Sequence, residues 1–190
     1  MKLHTLLEML SDPASLYAVV VSLVLCAVPI GYGLKKARQA LRNPANAKPS
    51  GLKLWQVGLL GWLGGAITWL AWLTWSPAPG SIFRTNPANQ PYDTNQVVCC
   101  ALTLVIVALA VGQSARYRVA GPFVAAAATL WGFHLLWSLD ASSTDSTGLW
   151  GVGAVLLATG SGLALYAVAW VHSAIQITLH RRSQRPQNTP

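Results

Sequence analysis

An all-α integral membrane protein, built as a bundle of five transmembrane helices, is the fold class this sequence predicts, and three observations predict it. Only 9% of the 190 residues are charged while 53% are hydrophobic, against roughly 25% charged in a soluble domain. Five uncharged apolar stretches, at 15–34, 55–75, 96–114, 120–139 and 149–175, each approach the 20 or so helical residues that cross about 30 Å of hydrocarbon. The charges that remain alternate in sign from one connection to the next. Eleven of the thirteen bases (Lys35, Lys36, Arg38, Arg42, Lys48, Lys53, Arg116, Arg118, Arg181, Arg182 and Arg185) fall between spans one and two, between three and four, and after five. All five acids, Glu8, Asp12, Asp93, Asp140 and Asp145, fall on the other side with only Lys2 and Arg84 for company. The positive-inside rule makes the basic side cytoplasmic, so the chain is expected to run N-terminus out and C-terminus in. An error of one helix would break this alternation.

The N-terminal stretch MKLHTLLEMLSDP has one base before the first apolar run and two after it, the reverse of a cleavable signal peptide. Leu3, Leu6, Leu7 and Leu10 recur at helical spacing before Asp12 and Pro13, so residues 1–14 are expected to be a short external amphipathic segment. The membrane domain then occupies 15–179. Its first connection, KKARQALRNPANAKPSG, starts as a basic helical extension and is stopped by Pro44 and Pro49. The bases there mark topology and also attract anionic lipid.

The second span has the most unusual composition. Residues 55–75 hold five tryptophans and four glycines without a charge. Inside a bilayer, apolar side chains gain little by leaving lipid for another helix, so close approach through small residues drives association. Gly61 and Gly65 stand in Gly-x-x-x-Gly spacing with Gly58 on the same side at 100° per residue, which predicts a smooth packing groove. Trp55, Trp62 and Trp69 recur every seven residues and are read as flank packing or as the wall of a ligand cleft. Ala154, Ala158 and Gly162 form a similar small-residue packing face on the fifth span, and Gly121, Ala125 and Thr129 one on the fourth. The external loop SPAPGSIFRTNPANQPYDTNQ is too polar to span, the connection QSARYR is short enough to force spans three and four into antiparallel contact, and residues 180–190 are expected to be a disordered basic cytoplasmic tail.

Candidate chemistry is sparse. A net charge of +8 would suit nucleic acid if the bases formed one patch; spread over alternate connections, they do not, and no nucleic acid is expected. No Asp, Glu, Lys or Arg lies inside a span, which argues against a proton-coupled carrier built on a buried carboxylate. His134 and His172 are possible polar sites, but the topology puts them in opposite leaflets, too far apart to hold one haem iron. Ser161 in ATGSGLA has no base within reach on its own helix. Cys99 and Cys100 are adjacent, and vicinal cysteines in a membrane helix resemble the metal-handling pairs of small mercury-uptake proteins, which implies capture of a soft ion. Adjacent helix positions diverge by 100°, so a disulfide between them is not expected.

These features predict a non-catalytic membrane subunit or assembly factor of a larger inner-membrane complex, with no cofactor. The expected partners are membrane lipid and either another membrane protein or a second copy of the chain. Two alternatives remain: a small-solute or metal-ion permease or channel component, favoured by Cys99 and Cys100, and a membrane enzyme or electron carrier acting on a quinone or lipid, favoured by the tryptophans and His134. Short loops without a targeting segment point to a bacterial inner membrane.

Overall fold

Four apolar helices form the part of the chain described by the computed structural model, which covers residues 31, 35, 48, 50–73, 92–144 and 149–183. They are α1 (Leu54–Leu73), α2 (Thr94–Ser114), α3 (Ala120–Thr144) and α4 (Trp150–Ser183), and each is long and apolar enough to cross a membrane. They coincide with the second to fifth predicted spans. The first predicted span apart from Gly31, the segment 1–14, Trp75, Cys26 and residues 184–190 lie outside the described residues.

Local chemistry sets the helix ends. Ahead of α1, the Lys53 amide donates to Gln56 Oε1 at 2.9 Å, half of a reciprocal capping arrangement. Asp93 caps α2 in extended conformation (φ −71°, ψ 143°), and its amide donates to Gln96 Oε1 at 3.1 Å. Pro122 sits in the first turn of α3, where its missing N–H has no partner to lose. α4 runs past the predicted end of the last span at 175, through Ser183. No proline or glycine interrupts it between Gly162 and Arg185, and bases in a last turn suit the helix dipole.

The helices alternate in direction and α3 is the hub. Within its spanning window 72% of residues are buried, against 33%, 22% and 28% for α1, α2 and α4. That is possible because seven of its first ten residues are small: Ala120, Gly121, Ala125, Ala126, Ala127, Ala128 and Thr129. Three buried clusters surround it. Phe123, Ala126 and Leu130 meet Ala108 of α2 and Leu165 and Ala169 of α4. Val124 and Ala125 meet Val57 of α1 beside Ala115. Phe133 meets Trp69, Cys100 and Leu104.

Charge is segregated along the bundle. At one end the segment before α1 pairs with the α2–α3 turn through Leu52 N to Ser114 O and Arg116 N to Leu52 O, both 2.9 Å, and Lys48 N to Arg116 O at 2.8 Å. That end carries Lys48, Lys53, Arg116, Arg118 and Arg182, whereas both described acids, Asp93 and Asp140, lie at the other. There the Tyr92 hydroxyl donates to Asp140 Oδ2 at 3.4 Å, and burial together with the Asp140 charge raises the phenol above its ordinary pKa.

Candidate functional site

The closest approach in the bundle is between α1 and α3. A Cβ placed on Gly65 would lie 2.0 Å from the Thr129 carbonyl oxygen, and one on Gly132 would lie 2.0 Å from the Trp62 carbonyl oxygen. Gly61 is looser, at 3.0 Å from Ala125 O, and Gly58 meets only the Val124 side chain at 3.9 Å. Backbone touches backbone here because two glycines face each other's helix, and Gly132 is the member that the sequence reading did not single out. On α4, Ala154 and Ala158 are buried and a Cβ on Gly162 would lie 3.3 Å from Leu130 Cδ2. The same stripe continues through Leu165, Ala169, Ser173 and Gln176.

The three tryptophans of the heptad stripe do not form one wall. Trp55 is exposed, Trp69 is buried against α2 and α3, and Trp62 borders a groove. A 7-residue repeat drifts about 20° per heptad around a straight helix, and the stripe crosses from the lipid-facing side into the core. The groove, of about 390 Å³, is walled by Trp62 and Trp131 with Gly58, Val124 and Ala128 beneath, and it is almost wholly apolar.

His134 and His172 sit at opposite ends. His134 is buried, with Nε2 2.9 Å from Ala154 O and Nδ1 3.3 Å from Ser138 Oγ. A carbonyl only accepts, so Nε2 carries the proton and Nδ1 accepts from the serine. The ring thereby bonds α3 to α4. His172 is eighteen residues beyond Ala154 on α4, about 27 Å along the axis. Its Nε2 lies 2.9 Å from both Gln113 Oε1 and Gln176 Nε2. No single iron could take both rings. Ser161 Oγ donates to Leu157 O of its own helix and lies a further seven residues from Ala154, so it has no histidine base.

Cys99 is half-buried, whereas Cys100 faces the core beside Trp69, Leu104 and Phe133. Cys100 also borders an apolar cavity of about 150 Å³ with Tyr92, Trp137 and Ser161. Among the described residues no three His, Cys, Asp or Glu side chains converge as a metal site. Replacing both cysteines by alanine is expected to preserve accumulation and any transport or growth phenotype, at a cost of about 1 kcal/mol for the buried sulfur. Thermal melting of the purified double variant and a growth assay check this. Loss of a metal-dependent phenotype in Cys100→Ser at normal protein level would instead make the pair a soft-cation ligand.

Polar side chains within the spans are bonded mainly to helix backbone or to one another. Gln96 Nε2 donates to Trp72 O at 3.2 Å, Trp72 Nε1 to Thr103 Oγ1 at 3.0 Å, and Thr103 Oγ1 to Cys99 O at 2.8 Å. Gln96 and Thr103 of α2 thereby join Trp72 of α1, and Gln96 heads a run of buried residues at four-residue intervals along α2, through Cys100, Leu104, Ala108 and Gly112. The sequence matches no protein-family model, and no curated protein and no solved structure is significantly similar to it.

Proposed function

We propose that this protein is a non-catalytic subunit or assembly factor of a larger membrane complex. In this reading it has five spans, the N-terminus outside, the C-terminus inside, and a bacterial inner membrane as its home. One observation carries the reading: α4 has a second small-residue stripe that the other described helices do not cover. Gly160, Ala164, Ala167, Val171 and Ala174 are all exposed, and at 100° per residue they fall within an 80° sector. A Cβ on Gly160 would touch nothing. Leu163 and Trp170, about two-thirds exposed, border the stripe on one side and the exposed Ile175 on the other, while Leu156 continues its edge one turn earlier. Small residues flanked by large ones let a second helix approach closely in lipid, where packing rather than hydrophobicity drives association. The partner is another membrane protein or a second copy of this chain. The polar groups inside the described spans support the same reading, because they hold helices together and, among the described residues, present no nucleophile with its base.

Purification of the full chain in mild detergent, followed by mass spectrometry, tests this. A stoichiometric membrane partner or a defined homo-oligomer is expected, and it should be lost in Gly160→Leu with Ala164→Leu while the bundle melts unchanged. A lone monomer, or a partner indifferent to both substitutions, would refute the proposal. The Trp62–Trp131 groove favours a second reading, a site for a quinone or lipid tail, which would show as a co-purifying lipid-soluble molecule.

A further inference from the structure

The basic end of the bundle contains a cluster whose charge nothing in the described structure balances. Lys48 Nζ donates to Gln113 O at 2.7 Å, which fixes the ammonium over the end of α2. The side chain of Gln113 reaches His172 on α4, and Ser173 donates to Val119 O at 3.5 Å, so the last turns of α4 lie against the α2–α3 turn that carries Arg118. Lys48 is held below its ordinary pKa by burial and by the Arg118 charge. Both described acids are at the far end of the helices.

Three buried polar atoms in this cluster have no protein partner: Arg118 Nε, His172 Nδ1 and Gln176 Oε1. Gln176 is 5% exposed. One nitrogen, His172 Nε2, cannot donate to Gln113 and accept from Gln176 at once. Turning the Gln176 amide brings its oxygen to His172 Nε2–H and leaves its NH₂ unpartnered, whereas turning the Gln113 amide lets Nε2 accept from both amides and leaves His172 Nδ1–H as the unpartnered donor. In either arrangement the cluster offers two cations, Lys48 and Arg118, and buried N–H donors without an acceptor: Arg118 Nε–H together with the Gln176 amide or with His172 Nδ1–H. Unsatisfied buried donors and adjacent like charges are both costly, and a single anion with several oxygens relieves both.

We propose that this end of the bundle binds a phosphate-bearing anion, held by Lys48 and Arg118 over the His172–Gln176 pair. Arg118 supplies the planar fork that matches phosphate oxygens, and Lys48 a point charge beside it. His172 and Gln176 belong to a membrane-spanning segment, so the site is at the hydrocarbon boundary, the depth of a phospholipid phosphodiester. An anionic lipid headgroup is accordingly the favoured source over free phosphate.

The test uses the purified full chain in nanodiscs of phosphatidylcholine with and without phosphatidylglycerol, reading retained lipid by native mass spectrometry and stability by thermal midpoint. The wild type should retain phosphatidylglycerol preferentially and gain stability from it. Lys48→Gln and Arg118→Gln should each weaken that preference about fivefold, with melting in pure phosphatidylcholine unchanged or raised. Arg118→Lys should recover only part of it. Arg182→Gln, an exposed base at the same end, should leave the preference intact. If millimolar inorganic phosphate displaces the retained lipid or reproduces its stabilisation, the site stands with solvent phosphate as a source. Equal retention of both lipids by the wild type, or an Arg182→Gln loss as large as that of Arg118→Gln, would overturn the proposal, since the bases would then act only as a diffuse field. Neither outcome depends on whether a protein partner is found.

Discussion

Gly65→Leu and Gly132→Leu are expected to abolish accumulation of the folded bundle, and even Gly65→Ala should lower its thermal midpoint sharply. The added Cβ would sit 2.0 Å from a carbonyl oxygen of the facing helix in both cases, whereas carbon and oxygen in contact across helices stay about 3.3 Å apart. The obstacle is backbone, so no side chain can rotate out of the way. α1 and α3 would have to separate by more than about 1 Å along the closest contact in the bundle. Overpacking a core costs about 1–3 kcal/mol when side chains can yield, and this case is expected to reach or exceed the upper value. Gly61→Leu should be milder, and Gly58→Ala nearly silent, because their nearest contacts are at 3.0 Å and 3.9 Å. Leu60→Ala, at a position that is 45% exposed, provides the comparison. Fluorescence-detected chromatography and melting of the purified variants give the order. Equal behaviour of Gly65→Leu and Leu60→Ala would show that the two backbones do not touch.

That ranking shows what a sequence can and cannot reveal about such a bundle. The Gly61 and Gly65 face was legible because 100° spacing puts both residues on one side of a helix. Which helix they meet was not legible, since periodicity describes one helix at a time. Gly132 matters only through its contact with the Trp62 carbonyl, and nothing in its own neighbourhood of sequence distinguishes it from Gly121. The tryptophan stripe failed as a single wall for a related reason. Seven-residue spacing gives a shared direction on α1, but whether that direction meets lipid, a groove or a core depends on where α2 and α3 lie at each depth. His134 was legible as a polar residue near a helix end that needs a partner; its partner, the Ala154 carbonyl, belongs to another helix. The glutamines escaped notice because an uncharged amide at the end of a span reads as an interface residue. Gln113 and Gln176 are significant only once α2 and α4 are brought together around His172.

Everything proposed for the basic end and for the exposed face of α4 depends on the helices crossing the membrane alternately, with Lys48, Arg116 and Arg118 on one side and Asp93 and Asp140 on the other. Impermeant maleimide labelling of single cysteines in a variant lacking the native three tests this most directly. Ser50 lies in the turn before α1 at the basic end, and Thr94 opens α2 at the acidic end; both are exposed. In intact cells, Thr94→Cys should be labelled from outside and Ser50→Cys only after the membrane is permeabilised, an all-or-none difference set by the positive-inside rule. Labelling of both from the same side would contradict a membrane-crossing bundle with segregated charge, and with it the proposed phosphate site at the membrane surface of the basic end.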